Sequence, residues 1–355
     1  MQRSERALAA GLLLITAAVL ALYYVPVPAP KENFGYTPDP QGVERFLAEL
    51  DQPLFAQAGA EAIREAKGVD TFLYRPLYRA HQARYGKPFV VGSQGIGDCV
   101  SWGWAHGIWI AQAVDWDLGR LPEPPIAPAT ESIYGGSRVE ARNKPEGGGG
   151  WSDGSYGAAA ARWSRDWGVI YREEVGGHDL TKYSSKRAKD WGNWGNGGQG
   201  DKGKLDAEAK AHPAKYVSLV RTWTEASAAI ESGFPVVVCS MVGFTSLRDA
   251  DGFCRASGTW AHCMCFIGVR YGSRPGLLCL NSWGPTYVGG PRWPDDMPDG
   301  SFWVEKATAD RMLSAGDSFA VGSIDGFGFR DLHHGNWLMP FPPLRPETVA
   351  NEPRP

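Results

Sequence analysis

From Cys99 onward the chain carries a helical pattern in which Cys99, Gly103, Gly107 and Ala111 recur every four residues as one face of small side chains. Val100, Trp104 and Ile108 form a bulkier stripe beside it. Glycine inside a helix costs about 1 kcal/mol relative to alanine, so two of them predict a helix pressed closely onto another element. Downstream the period changes. Residues 260–269 and 276–284 are short, apolar and bounded by glycine, and residues 270–275 between them read as a chain reversal, which together predict a β-hairpin. Its midpoint falls at positions 271 and 272, so His262 and Asn281 are expected opposite or nearly opposite each other, with Cβ atoms about 4.5–5.5 Å apart if directly paired.

The ends and connections differ in pattern. After the charged Arg3, Glu5 and Arg6, residues 7–24 are uncharged and mostly apolar, as in an export signal or a signal anchor. The proline-rich residues 25–30 offer no small-x-small cleavage site, so an uncleaved anchor in residues 1–30 is the preferred reading. A cleaved signal peptide and a buried helix are the alternatives. Membrane attachment through this segment, or secretion, would place the remainder outside the cytoplasm. Residues 31–84 read as a spacer with helices at 40–50 and 55–67, and residues 143–154 as a glycine-rich loop. Residues 191–215 read as a polar insertion and residues 331–355 as a proline-rich tail. In a chain of 355 residues, 43% hydrophobic residues suffice for one large domain or two packed halves. A formal net charge of −3 gives no reason to expect nucleic acid as a partner. Nothing in the sequence bears on oligomeric state.

The candidate chemistry begins at Cys99. A cysteine at a helix N-terminus meets unpaired N–H groups and the positive end of the dipole, which favour thiolate over thiol. Gln94, across a glycine-rich turn, can aim its amide at the point where an oxyanion would develop. A buried structural cysteine is the competing reading. His262 with Asn281 completes the logic of nucleophile, base and orienter. His106 lies two helical turns from Cys99, about 10 Å along the axis, too far to serve as its base. His81, His178, His212, His333 and His334 sit in polar contexts and read as solvated. Cys239, Cys263, Cys265 and Cys279 lie in apolar runs and read as core, while Cys254 sits in a loop from which a bridge to a strand cysteine is open. Strand alternation sends Cys263 and Cys265 to the face opposite His262, so no metal site and no cofactor are expected.

These residues resemble, in order and separation, the motifs of papain-like cysteine peptidases. They are Gln94-Gly95, Gly97-Asp98-Cys99, Ala261-His262, Asn281-Ser282-Trp283-Gly284 and Gly300-Ser301-Phe302-Trp303. Weaker likenesses start at Asp153-Gly154-Ser155-Tyr156-Gly157 and at Glu231-Ser232-Gly233-Phe234-Pro235, and the whole spans about residues 85–310. The resemblance implies an α+β, two-lobed papain-like fold over residues 85–330, a helical lobe packed on an antiparallel β lobe, following the N-terminal hydrophobic anchor. It implies Cys99 as nucleophile, His262 as base, Asn281 as orienter, and Gln94 with the Cys99 N–H as oxyanion donors. Gly154 and Ser155 would offer backbone hydrogen bonds to a peptide or protein substrate, and Trp283 would shield the asparagine–imidazole contact.

The chain departs from the family pattern near the nucleophile. One residue is missing between Gln94 and Cys99, Ile96 replaces a cysteine, and Asp98 and Val100 replace a serine and a tryptophan. Asp98 is a good N-cap type, yet its charge opposes a thiolate. The resemblance would make residues 31–84 a propeptide, although they lack its helical signature, and a stalk or decoration is preferred. Two other functions stay open: a catalytically silent domain that binds peptide or an envelope partner in its groove, and an amidase or transferase acting on non-protein amides.

Overall fold

The computed structural model describes residues 34–142, 152–201, 204–322 and 326–332. The apolar run at 7–24, most of the glycine-rich loop, His333, His334 and the proline-rich tail lie outside the described residues. Among those described, no helix is long and apolar enough to cross a membrane.

Five helices position the site: α1 (Pro40–Leu47), α2 (Tyr74–Tyr85), α3 (Cys99–Asp117), α4 (Thr130–Arg138) and α5 (Gly157–Asp166). They accompany one antiparallel sheet of β1 (Thr71–Phe72), β2 (Val217–Leu219), β3 (Val236–Phe244), β4 (Ala256–Arg270), β5 (Gly276–Leu280), β6 (Ser301–Glu305) and β7 (Phe319–Val321). The strand order is β2-β7-β3-β4-β5-β6, with β1 paired to β4. This is the expected α+β class.

Helix α3 is apolar on nearly every side and buried from Cys99 through Ala111, as a helix hydrophobic all round must be. Its small face explains the glycines. A methyl on Gly103 would stand 3.1 Å from the Met264 carbonyl oxygen and 3.2 Å from Cys263 Sγ, and one on Gly107 would stand 2.9 Å from a Val237 methyl. The element expected to press on α3 is therefore the sheet, at β3 and β4.

Strands β4 and β5 form the expected hairpin, with a different register. Cys265 pairs with Leu280 and Phe266 with Cys279, then an irregularity shifts the pairing to Gly268 with Leu278. Continued past the end of β5, this register sets Met264 opposite Asn281 and His262 opposite Trp283. Asn281 is thus a diagonal neighbour of His262, within side-chain reach.

The cysteines also depart from expectation. Cys239 and Cys263, read as core residues, are a directly paired couple on β3 and β4 and form a disulfide. Cys99, Cys254, Cys265 and Cys279 are free and buried. Of the expected spacer helices, the first ends at Leu47 and the second is split into Phe55–Ala58 and Ala60–Glu65 at Gly59, whose place is set by the Phe55 ring packed over it. The polar insertion holds parts of two helices, Ser185–Trp194 and Asp206–Ala209.

Candidate active site

Cys99 is the first residue of α3, and Asp98 stands at the N-cap, where its carbonyl accepts from the Ser101 N–H at 3.0 Å. The Asp98 side chain caps nothing. It accepts instead from the Tyr183 hydroxyl at 2.9 Å. Burial pushes its carboxyl up to about 8, against the pull of the Tyr183 bond. Cys99 is fully buried. Burial pushes its thiol up, the Cys263 backbone N–H and the first N–H groups of α3 pull it down, and Asp98 adds to the rise. The Cys263 contact sets the thiol beside the residue that follows His262.

His262 Nε2 and Asn281 Oδ1 are 2.8 Å apart. The same Oδ1 accepts the Ser282 N–H at 2.7 Å, which orients the amide and makes Nε2 the protonated ring nitrogen. Nδ1 is left with its lone pair, buried and without a hydrogen-bond partner. Trp283 stacks on the imidazole with centroids 4.3 Å apart and planes 24° from parallel. Burial pulls His262 down to about 4, with Asn281 and the Phe34 backbone opposing. In this state thiol and imidazole are both neutral.

The stretch before Cys99 is zipped to the stretch after β5. The Gln94 N–H donates to Ser282 O at 2.8 Å, the Gly284 N–H to Gly92 O at 3.0 Å, and the Ser282 hydroxyl to Gln94 Oε1 at 2.6 Å. Gln94 Nε2 donates to Ile96 O at 2.9 Å. One of its two N–H bonds is thus spent closing the shortened turn.

Helix α4 mounts the second wall. The Tyr134 hydroxyl accepts the Gly154 N–H at 3.0 Å, Arg138 donates to the Gly154 and Ser152 carbonyls, and Ser137 and Ser155 hydroxyls meet at 2.9 Å. Both backbone groups of Ser155 are occupied by the chain itself. Ser155 N–H donates to Gly35 O at 2.9 Å, and Thr37 N–H donates to Ser155 O at 2.8 Å. The Tyr36 N–H donates to Ala261 O at 3.0 Å, on the wall next to His262. Phe34 sits among Trp260, His262 and Trp283. Reading by pattern missed Phe34 and Tyr183, because each acts through a partner distant in sequence and neither belongs to a periodic run, and it gave Ser282 no role beyond its place in the Asn281-Ser282-Trp283-Gly284 motif.

No family model matches the sequence, and no curated protein matches it. Solved structures do. Xylellain, a cysteine protease from Xylella fastidiosa, is 18% identical, covers 83% of this chain and 97% of its own, and aligns with a TM-score of 0.53. Digestive procathepsin L 3 of Tenebrio molitor larval midgut is 13% identical over 86% of this chain and 88% of its own, with a TM-score of 0.47. Procathepsin B S9 from Trypanosoma congolense is 10% identical over 82% and 86%, with a TM-score of 0.48. At these identities the likeness is one of fold.

Proposed function

From the premise that this is a papain-like fold, we propose that the chain is a cysteine peptidase that hydrolyses peptide bonds through Cys99, His262 and Asn281. The observation that carries this reading is the placing of His262. Its Nε2 is held by Asn281, and it adjoins the residue whose N–H meets the Cys99 thiol. His262 Nδ1 takes the thiol proton as sulfur bonds to the substrate carbonyl carbon, and the Cys99 backbone N–H with the Gln94 side-chain amide holds the oxyanion. The imidazolium returns that proton to the departing amine when the C–N bond breaks. Water, deprotonated by the same ring, then cleaves the acyl-enzyme and restores the thiol. The Gly154 N–H and C=O expected to pair a peptide are instead held by Tyr134 and Arg138, so Ser155 alone is left for β-type pairing, once released from Gly35 and Thr37, and Trp283 keeps water from the Asn281–His262 bond.

The disulfide and the apolar run at 7–24 support an extracytoplasmic site for this chemistry, either tethered to a membrane or secreted. A silent groove-binding domain is the second reading, and the neutral thiol beside Asp98 favours it. The deciding assay incubates a peptide mixture with the full chain and with its Cys99→Ser control, and reads new termini by mass spectrometry. Cleavage that disappears with Cys99→Ser supports the peptidase. No cleavage, with Cys99 alkylating no faster in the presence of His262 than in His262→Ala, leaves the silent reading.

A further inference from the structure

A cavity of about 480 Å³ lies between α2, α3, the start of α4 and the chain at Arg172 and Thr181–Tyr183. Cys99, His262 and Asn281 are not among its walls. We propose that this cavity is a binding site for a small aromatic carboxylate, separate from the candidate active site and independent of the peptidase reading.

The walls suit a flat apolar body. The α3 residues that reach the cavity, Trp102, Ala105, His106 and Trp109, lie on a different face of the helix from the glycines that meet the sheet. Trp102 packs edge-on against Tyr183 with centroids 5.1 Å apart, and Trp109 packs edge-on against Phe89 at 5.7 Å. Aromatic walls with a few polar groups between them are the usual make-up of a small-molecule site, and the volume is of the usual size. Tyr85 and Val90, which also line the cavity, are 37% and 65% exposed. They form an apolar rim that an occupant would cover.

The charge around the cavity has one sign. Lys87, Arg172 and Lys182 line it, and among the described residues no carboxylate does. Arg172 is fixed in place, donating to the Thr130 hydroxyl at 2.9 Å and to the Glu131 carboxylate at 3.2 Å. Buried Glu131 offsets that charge in part, and the exposed Lys87 and Lys182 supply the excess. His81 Nδ1 donates to the Lys87 carbonyl at 2.8 Å, which sets this lysine at the rim. The two histidines of the wall feel the field. Burial lowers both, Lys87 adds to the lowering at His81, and Arg172 adds to it at His106, which falls to about 4. His106 is buried, and its Nδ1 has no hydrogen-bond partner. A carboxylate entering here opposes the cationic field, so His106 should take up a proton more readily.

The test titrates the full chain calorimetrically with 2-naphthoate and with its neutral isostere 2-naphthamide, while NMR follows the imidazole titrations of His106 and His262. The expected result is saturable binding of the acid, about tenfold or more tighter than the amide, with the His106 titration moved to higher pH and that of His262 unmoved. Lys87→Gln with Lys182→Gln, both at exposed positions, is expected to remove most of the difference between the two probes, circular dichroism establishing that the fold is kept. Absence of saturable binding, equal affinity of the two probes in the parent, or a difference that survives in the double variant overturns the site. Binding that moves His262 and leaves His106 unmoved overturns it as well. Cys99→Ser should bind 2-naphthoate as the parent does, so failure of the peptidase reading leaves this site standing.

Discussion

Asp98 occupies an N-cap without capping and carries a carboxyl raised to about 8 by burial, with the Glu131 charge acting in the same direction. Its folded-state value lies above its unfolded one, so the stability it contributes is complete below about pH 4 and is lost as pH rises toward 8. Asp98→Asn, a neutral isostere that can still accept from Tyr183, is expected to flatten this dependence, and calorimetry from pH 5 to 8 should show its melting temperature gaining steadily on the parent's. Asn281→Ala leaves the His262 Nε2–H without its acceptor. For the proposed hydrolysis kcat is expected to fall about 10- to 100-fold, less than the ~10²–10⁴-fold that acid–base catalysis supplies, because the ring remains but turns. Steady-state kinetics together with the NMR titration of His262 check this, since a merely structural loss would leave the imidazole titration unmoved. At this scale the meeting of His262 with Asn281 was legible in the sequence, because two apolar runs and a reversal bring them together. The burial that keeps the Cys99 thiol and the His262 imidazole neutral was not, because it depends on which distant segments pack above.

At the scale of the element, the four-residue recurrence in α3 foretold close packing, and the sheet supplies it. Gly107→Val places a branched side chain where one methyl already stands 2.9 Å from Val237 and 3.1 Å from Val321. Overpacking of this kind costs about 1–3 kcal/mol, more than the helix propensity gained by losing glycine. Urea denaturation should therefore show a lower midpoint with an unchanged slope. The hairpin was visible as two apolar runs and a reversal, but its register was not. The irregularity between Phe266 and Gly268 shifts the pairing by one residue, a local event that alternation of apolar residues does not encode. The outcome still brings Asn281 to His262, because a diagonal pair lies within reach of an asparagine side chain.

For the whole molecule, the α+β class was legible through the ordered motifs that carry the family resemblance, while the tie between β3 and β4 was not. Cys239 and Cys263 looked like any buried cysteines until the register made them partners. Cys239→Ser with Cys263→Ser is expected to lower stability by about 2–4 kcal/mol, read as a lower denaturation midpoint. The parent under reducing conditions should fall to the level of the double variant. The bonds of residues 35–37 to Ser155 and Ala261 were equally invisible, since residues 34–37 carry no periodicity and find every partner far along the chain.

Asp317 is the feature with the widest reach. Its carboxylate accepts the Gly157 and Ala158 N–H groups at 2.7 Å each, which secures the start of α5, and it also takes the Tyr36 hydroxyl. One acceptor therefore serves both the helix and the segment that lies against it. The two are moored at a single point, so whatever slackens one slackens the other.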